Sequence, residues 1–103
     1  MQENLDITKN TEGTTETLSL KGRLSIVTSP RLAAEVESVN GDIKTLKIDL
    51  ADVDYVSSAG IRIIIIAQKK MTAAGGNLEI LNPTAEIVQL CDITGLKDVL
   101  TIR

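Results

Sequence analysis

An α/β fold on a mixed sheet is predicted by three features of the chain. Two segments of period-two alternation flank a short polar turn near the start, the pattern of an antiparallel hairpin. Strand-like and helix-like segments then alternate, which calls for parallel pairings. Glycine, asparagine and proline fall between these segments, where they punctuate elements rather than interrupt them.

The elements follow in order. Leu5-Asp6-Ile7-Thr8 and Thr17-Leu18-Ser19-Leu20-Lys21 are the arms of the hairpin, with Thr11-Glu12-Gly13-Thr14 between them and Gly22 closing the second arm. Ser25 to Pro30 is a polar run that reads as a loop and helix entry, with Pro30 in the first turn and Thr28 or Ser29 as N-cap. Leu32, Val36 and Val39 lie at helical spacing before the stop at Asn40-Gly41, giving a helix over about Ser29 to Val39. Leu46, Ile48 and Leu50 alternate with Lys47 and Asp49 in a strand over Thr45 to Leu50, and Asp52-Val53-Asp54 reads as a turn.

The run Ile61-Arg62-Ile63-Ile64-Ile65-Ile66-Ala67 favours a strand on propensity. Its surroundings overrule that. Ser57-Ser58 is a capping pair, Lys69 and Lys70 come late, and Gly75-Gly76 terminates the segment, so a helix over Ser57 to Ala74 is predicted. Isoleucines on more than one face predict deep burial. Leu78 to Leu81 is a short strand stopped by Asn82-Pro83, Thr84 to Leu90 a short helix, and Asp98 to Ile102 a last strand or extended tail. The whole chain, 1–103, reads as a single domain.

Composition excludes several functions. One Tyr and no Phe or Trp among 103 residues mean an aliphatic core. The absence of histidine removes imidazole-based triads, ligands and proton shuttles. A single cysteine, Cys91, removes an internal disulfide and a cysteine zinc site, and it reads as a buried inert thiol. A net charge of −3, with no basic stripe, argues against direct nucleic-acid binding. The longest apolar stretch, Ile63 to Ala67, is far short of a membrane span, and polar Met1 to Thr11 is no signal peptide. A cytoplasmic protein without cofactor or metal is expected, and not an enzyme.

The Asp52 to Ser58 connection lies at the carboxyl end of a strand and the amino end of a helix, where open α/β sheets keep their sites. The segment Asp52-Val53-Asp54-Tyr55-Val56-Ser57-Ser58-Ala59-Gly60-Ile61-Arg62 resembles the signature loop of the STAS domain family, which includes the anti-sigma-factor antagonists of bacteria. Lys21-Gly22-Arg23-Leu24 resembles the family's G-x-L element, Gly75-Gly76-Asn77-Leu78 its glycine break, and Ile93-Thr94-Gly95-Leu96 its closing T-G-L. The resemblance spans about Leu18 to Val99. It implies a four- to five-stranded mixed sheet with an N-terminal hairpin and helices mainly on one face.

Alignment on Gly60 carries the family's phosphorylated serine to Ser58, with adjacent Ser57 as the alternative. Two positions that are often acidic in the family are serines here, Ser57 before the site and Ser25 after G-x-L. The resemblance implies that Ser25, Ser57, Ser58, Gly60 and Arg62 face the partner. That partner is an anti-sigma factor with a histidine-kinase-like ATPase fold, which would phosphorylate the serine; a serine phosphatase would reset it. The unphosphorylated form would bind the anti-sigma factor and release a sigma factor.

Read without the resemblance, Ser57 and Ser58 are helix N-caps. The rival function is a constitutive STAS-like adaptor or structural subunit, for example of a lipid-transport complex, in which the two serines can be buried. Asp49, Asp52 and Asp54 suggest a carboxylate cluster but suit solvated strand and turn positions better. Gly75-Gly76 lacks the lysine of a phosphate loop and reads as a helix stop, and Arg62 as a solvated side chain.

Overall fold

The computed structural model describes residues 4–83, 85, 88, 89, 101 and 102. The hairpin forms from β1 (Leu5–Glu12) and β2 (Thr15–Leu24), longer in both arms than the alternation alone marks. Helix α1 (Ser29–Glu37) has Thr28 at its N-cap position and Pro30 in its first turn. It is followed by β3 (Thr45–Val56), α2 (Ser58–Ala73), β4 (Asn77–Leu81) and the two-residue β5 (Thr101–Ile102). The helix expected over Thr84 to Leu90 lies largely outside the described residues, although 85, 88 and 89 are helical. Cys91, Ile93-Thr94-Gly95-Leu96 and the Asp98 to Leu100 part of the last strand also lie outside them.

Among the described residues the sheet has five strands in the order β1-β2-β3-β4-β5. The hairpin pair is antiparallel and the other three pairings are parallel. Parallel neighbours require crossovers, and right-handed crossovers stepping in one direction put both helices on one face. Contact between the helices agrees with this: Lys70 Nζ of α2 donates to the Val36 and Glu37 carbonyls of α1, at 2.7 and 2.9 Å.

Register sorts the two faces. Leu18, Ile48 and Ile80 form one row across β2, β3 and β4, and all three are buried. Leu46 and Leu78 share the next row with Glu16, whose carboxylate is thereby carried to the core side. The opposite face alternates to Thr17, Lys47 and Glu79, and neither α1 nor α2 lies on it.

Two expectations are corrected. Asp52-Val53-Asp54 is not a turn, because β3 runs on to Val56 alongside the long β2. Between Ser19 and Lys21 and between Gly22 and Arg23 the register shifts, each time leaving an extra residue in β3. These bulges break the period of two, so Leu50, Val53 and Val56 are buried at intervals of three. The isoleucine helix forms, but it is not deeply buried all round. Gly60, Ile64, Ala67 and Met71 face the core, Ile61, Ile63 and Ile65 are half-buried, and Ile66 is 47% exposed. With α1 and α2 side by side in one layer on the sheet, α2 keeps one face in solvent.

Candidate functional site

The connection that holds the candidate serines is a single residue. β3 ends at Val56, Ser57 is extended with φ −87° and ψ 170°, and α2 begins at Ser58. Two contacts fix this junction: the Ser57 backbone N–H donates to the Leu24 carbonyl at 2.8 Å, and Ser57 Oγ accepts from the Gly60 N–H at 3.2 Å. Ser57 is therefore the N-cap and is half-buried. Ser58 is the first helical residue and its side chain is exposed.

Helix geometry leaves the first N–H groups without intrahelical acceptors. The Gly60 N–H is taken by the cap, and the Ile61 N–H donates to the Ser57 carbonyl at 3.0 Å. The Ser58 and Ala59 N–H groups remain at the positive end of the helix dipole, an environment that suits an anion.

Gly60 is buried, and its role is close approach. A Cβ there would lie 2.7 Å from Leu24 Cγ and 3.2 Å from the Leu24 carbonyl oxygen. Only glycine lets the first turn of α2 settle on the end of β2. Gly22 serves that same end of β2, with φ +119° and no space for a Cβ beside the Asn4 carbonyl. The two glycines of the sequence motifs thus shape the platform from which the serines project.

Ser25, expected to face a partner, points inward and is only 3% exposed. Its Oγ accepts from the Val27 and Thr28 N–H groups at 3.2 and 3.3 Å, and its own N–H donates to Thr28 Oγ1 at 2.8 Å. Thr28 Oγ1 in turn donates to the Arg23 carbonyl at 2.6 Å. This knot tightens the β2–α1 loop and turns its two apolar residues outward: Ile26 is 75% exposed and Val27 66%. Reading Ser25 to Pro30 as a polar run missed this pair, although two β-branched aliphatics inside a hydrophilic loop were the available signal.

Parallel pairing brings that loop to the serines. Leu24 is in register with Val56, so the segments that follow both strands emerge at the same end of the sheet. Arg62 is exposed four residues after Ser58, on the same face of α2, and exposed Ile66 continues the stripe one turn later. Arg23 stacks over the Tyr55 ring, 4.5 Å from its centroid, at this same end of β2 and β3. The structure thus gathers Ser57, Ser58 and Arg62 with Ile26 and Val27, while Ser25 and Gly60 act beneath the surface.

The carboxylates do not converge. Asp49 Oδ1 accepts from the Ala51 N–H at 2.9 Å and from Asn82 Nδ2 at 3.1 Å, which ties β3 to the end of β4. Asp52 and Asp54 are exposed along β3. Among the described residues no group of three or more His, Cys, Asp or Glu side chains could hold a metal ion. None of the described helices is long and apolar enough to cross a membrane.

Comparison with known proteins bears on this arrangement. The chain is 28% identical over 102 residues to an anti-sigma-B factor antagonist of Bacillus subtilis, covering 99% of this chain and 92% of that protein. It is 31% identical over 84 residues to an anti-sigma-B factor antagonist of Listeria monocytogenes, covering 80% and 73%. In fold it matches an anti-sigma factor antagonist from Mycobacterium paratuberculosis with a TM-score of 0.84 at 21% identity, over 96% of this chain and 85% of the other. It also matches the Bacillus cell fate determinant SpoIIAA in its phosphorylated form, with a TM-score of 0.79 at 16% identity, over 95% and 91%. Residues 6–103 match the STAS domain, and the chain belongs to that family.

Proposed function

We propose that this chain is an anti-sigma-factor antagonist switched by phosphorylation of Ser58. The observation that carries the reading is an exposed hydroxyl on the first residue of α2, at the same end of the sheet as the outward-facing Ile26 and Val27 and one turn from Arg62. Its relatives among the anti-sigma-B factor antagonists support the partner class. The chain acts as substrate and binder, not as catalyst, and works in the cytoplasm without cofactor, nucleic acid or membrane insertion.

Unphosphorylated, the apolar loop and the α2 stripe dock on an anti-sigma factor with a histidine-kinase-like ATPase fold, and the sigma factor is released. That partner supplies ATP and the catalytic base. Ser58 Oγ forms a bond to the γ-phosphorus, the bond to the β–γ bridging oxygen breaks, ADP leaves, and the hydroxyl proton passes to the base. A serine phosphatase restores the hydroxyl.

The phosphate is tolerated by the fold, because it sits at the amino end of a helix whose first N–H groups are open. It is not tolerated by the interface. It adds roughly −1.5 to −2 charges to a surface whose contacts are apolar or cationic. Long side chains on a helix lean toward its amino end, so Arg62 is placed to pair with the phosphate and be withdrawn from the partner. A constitutive adaptor has no need of a reachable hydroxyl, and the exposure of Ser58 favours the switch.

Incubation with a cognate serine-kinase anti-sigma factor and ATP, followed by phosphopeptide mapping, tests the assignment. One phosphate on Ser58 is expected. Phosphate on Ser57 alone would move the site by one residue, and phosphate on neither would leave the adaptor role.

A further inference from the structure

At the end of the sheet away from Ser58 lies a cleft of about 420 Å³, lined by residues that include Lys9, Thr11, Glu16, Asn40 and Asp42. This is within the roughly 300–1,000 Å³ range of small-ligand sites. The register that places Glu16 beside Leu46 and Leu78 drives its carboxylate inward, and the side chain is only 4% exposed. Oε1 accepts from Thr11 Oγ1 at 3.3 Å, whereas Oε2 is buried without a hydrogen-bond partner. Lys9 Nζ is the nearby cation, and it is stretched between two carboxylates, 3.7 Å from Glu16 and 3.9 Å from Glu35. Neither distance is that of a hydrogen bond.

The other polar groups of the cleft do not supply the missing donor. Asn40 Oδ1 accepts from the Asp42 N–H at 3.0 Å, and Ser38 Oγ donates to the Glu35 carbonyl at 2.9 Å. With Asp42 at the rim, the lining holds two carboxylates against one cation, Lys9. A buried carboxylate oxygen left unpaired is costly, and a site of this kind is completed by a cation that brings hydrogen-bond donors. A planar guanidinium presents paired N–H groups in the geometry a carboxylate accepts, which a point-charge ammonium does not.

We propose that this cleft is a binding site for a guanidinium group, held by Glu16 with Asp42 at its mouth. The group belongs either to a free small molecule or to an arginine side chain of another protein. The site is independent of the switch at Ser58.

Backbone-amide NMR titration of the full chain with propylguanidinium is the test. Saturable shifts at Thr11, Glu16, Asn40 and Asp42 are expected, together with about tenfold weaker binding by Glu16→Gln. Circular dichroism of Glu16→Gln checks that the variant is folded. Lys9→Met gives the test independent of that variant, because removing the internal competitor for Glu16 should tighten binding. Weaker binding by Lys9→Met would mean that Lys9 does not compete with the guanidinium for Glu16 and would overturn the proposal. So would the absence of saturable shifts, or equal binding of propylammonium. Comparing propylguanidinium with a blocked Gly-Arg-Gly peptide separates the sources: tighter binding of the peptide points to a protein-borne arginine, and the reverse to a free ligand.

Discussion

Ser57 and Ser58 differ by one position and therefore by what their hydroxyls are left to do. Ser57 Oγ is engaged by the Gly60 N–H, so Ser57→Ala should cost about 1 kcal/mol in chemical denaturation, the usual loss of an N-cap. Ser58 carries no such duty. Ser58→Asp should leave the domain folded and stabilise it by about 0.3–1 kcal/mol, since a carboxylate near a helix amino terminus meets the positive end of the dipole. Gly60 tests the platform beneath them. Gly60→Ala should destabilise by about 1–3 kcal/mol, because a methyl there meets the Leu24 side chain in a packed core. A Gly60→Ala variant as stable as the parent in urea titration would mean that the α2–β2 contact is looser than described. Ser25 was legible as a motif position but not as a buried one. Its inward turn depends on hydrogen bonds with Val27 and Thr28 that no spacing rule reveals.

Elements of local origin were legible in the sequence, and those shaped by distant partners were not. The α2 boundaries followed from the Ser57 cap and the Gly75 stop, which are local signals. The second half of β3 was hidden because its two bulges exist only against β2, a strand more than twenty residues earlier. Likewise, four isoleucines in a row cannot say which one faces the sheet. Position in the fold selects Ile64, so Ile64→Ala should cost about 2–5 kcal/mol. Ile66→Ala should change stability by no more than about 0.5 kcal/mol. Similar losses for the two in denaturant titrations would contradict the assigned face. Lys70 joins the helices by donating to two carbonyls at the carboxyl end of α1. Lys70→Met should therefore cost about 1 kcal/mol, through lost hydrogen bonds and a lost cation at the dipole's negative end.

At the scale of the molecule, β2 and β3 separate two functional ends. The β2–α1 loop, Ser58 and Arg62 gather where both strands finish, and the Glu16 cleft lies where they begin. The polar sheet face lies between them, and α1 and α2 fill the other side. Such distant sites should act independently, so the stability changes of Ser58→Asp and Glu16→Gln should add within about 0.5 kcal/mol. On the proposed reading, the surface around Ser58 presents a hydroxyl whose phosphorylation decides docking. Calorimetric titration of the anti-sigma partner with the parent chain, Ser58→Ala and Ser58→Asp measures that most directly. Ser58→Ala should bind like the parent, and Ser58→Asp should bind at least about tenfold more weakly while remaining folded, as expected when a charge is placed in a docked surface. Undiminished binding by folded Ser58→Asp would contradict the account.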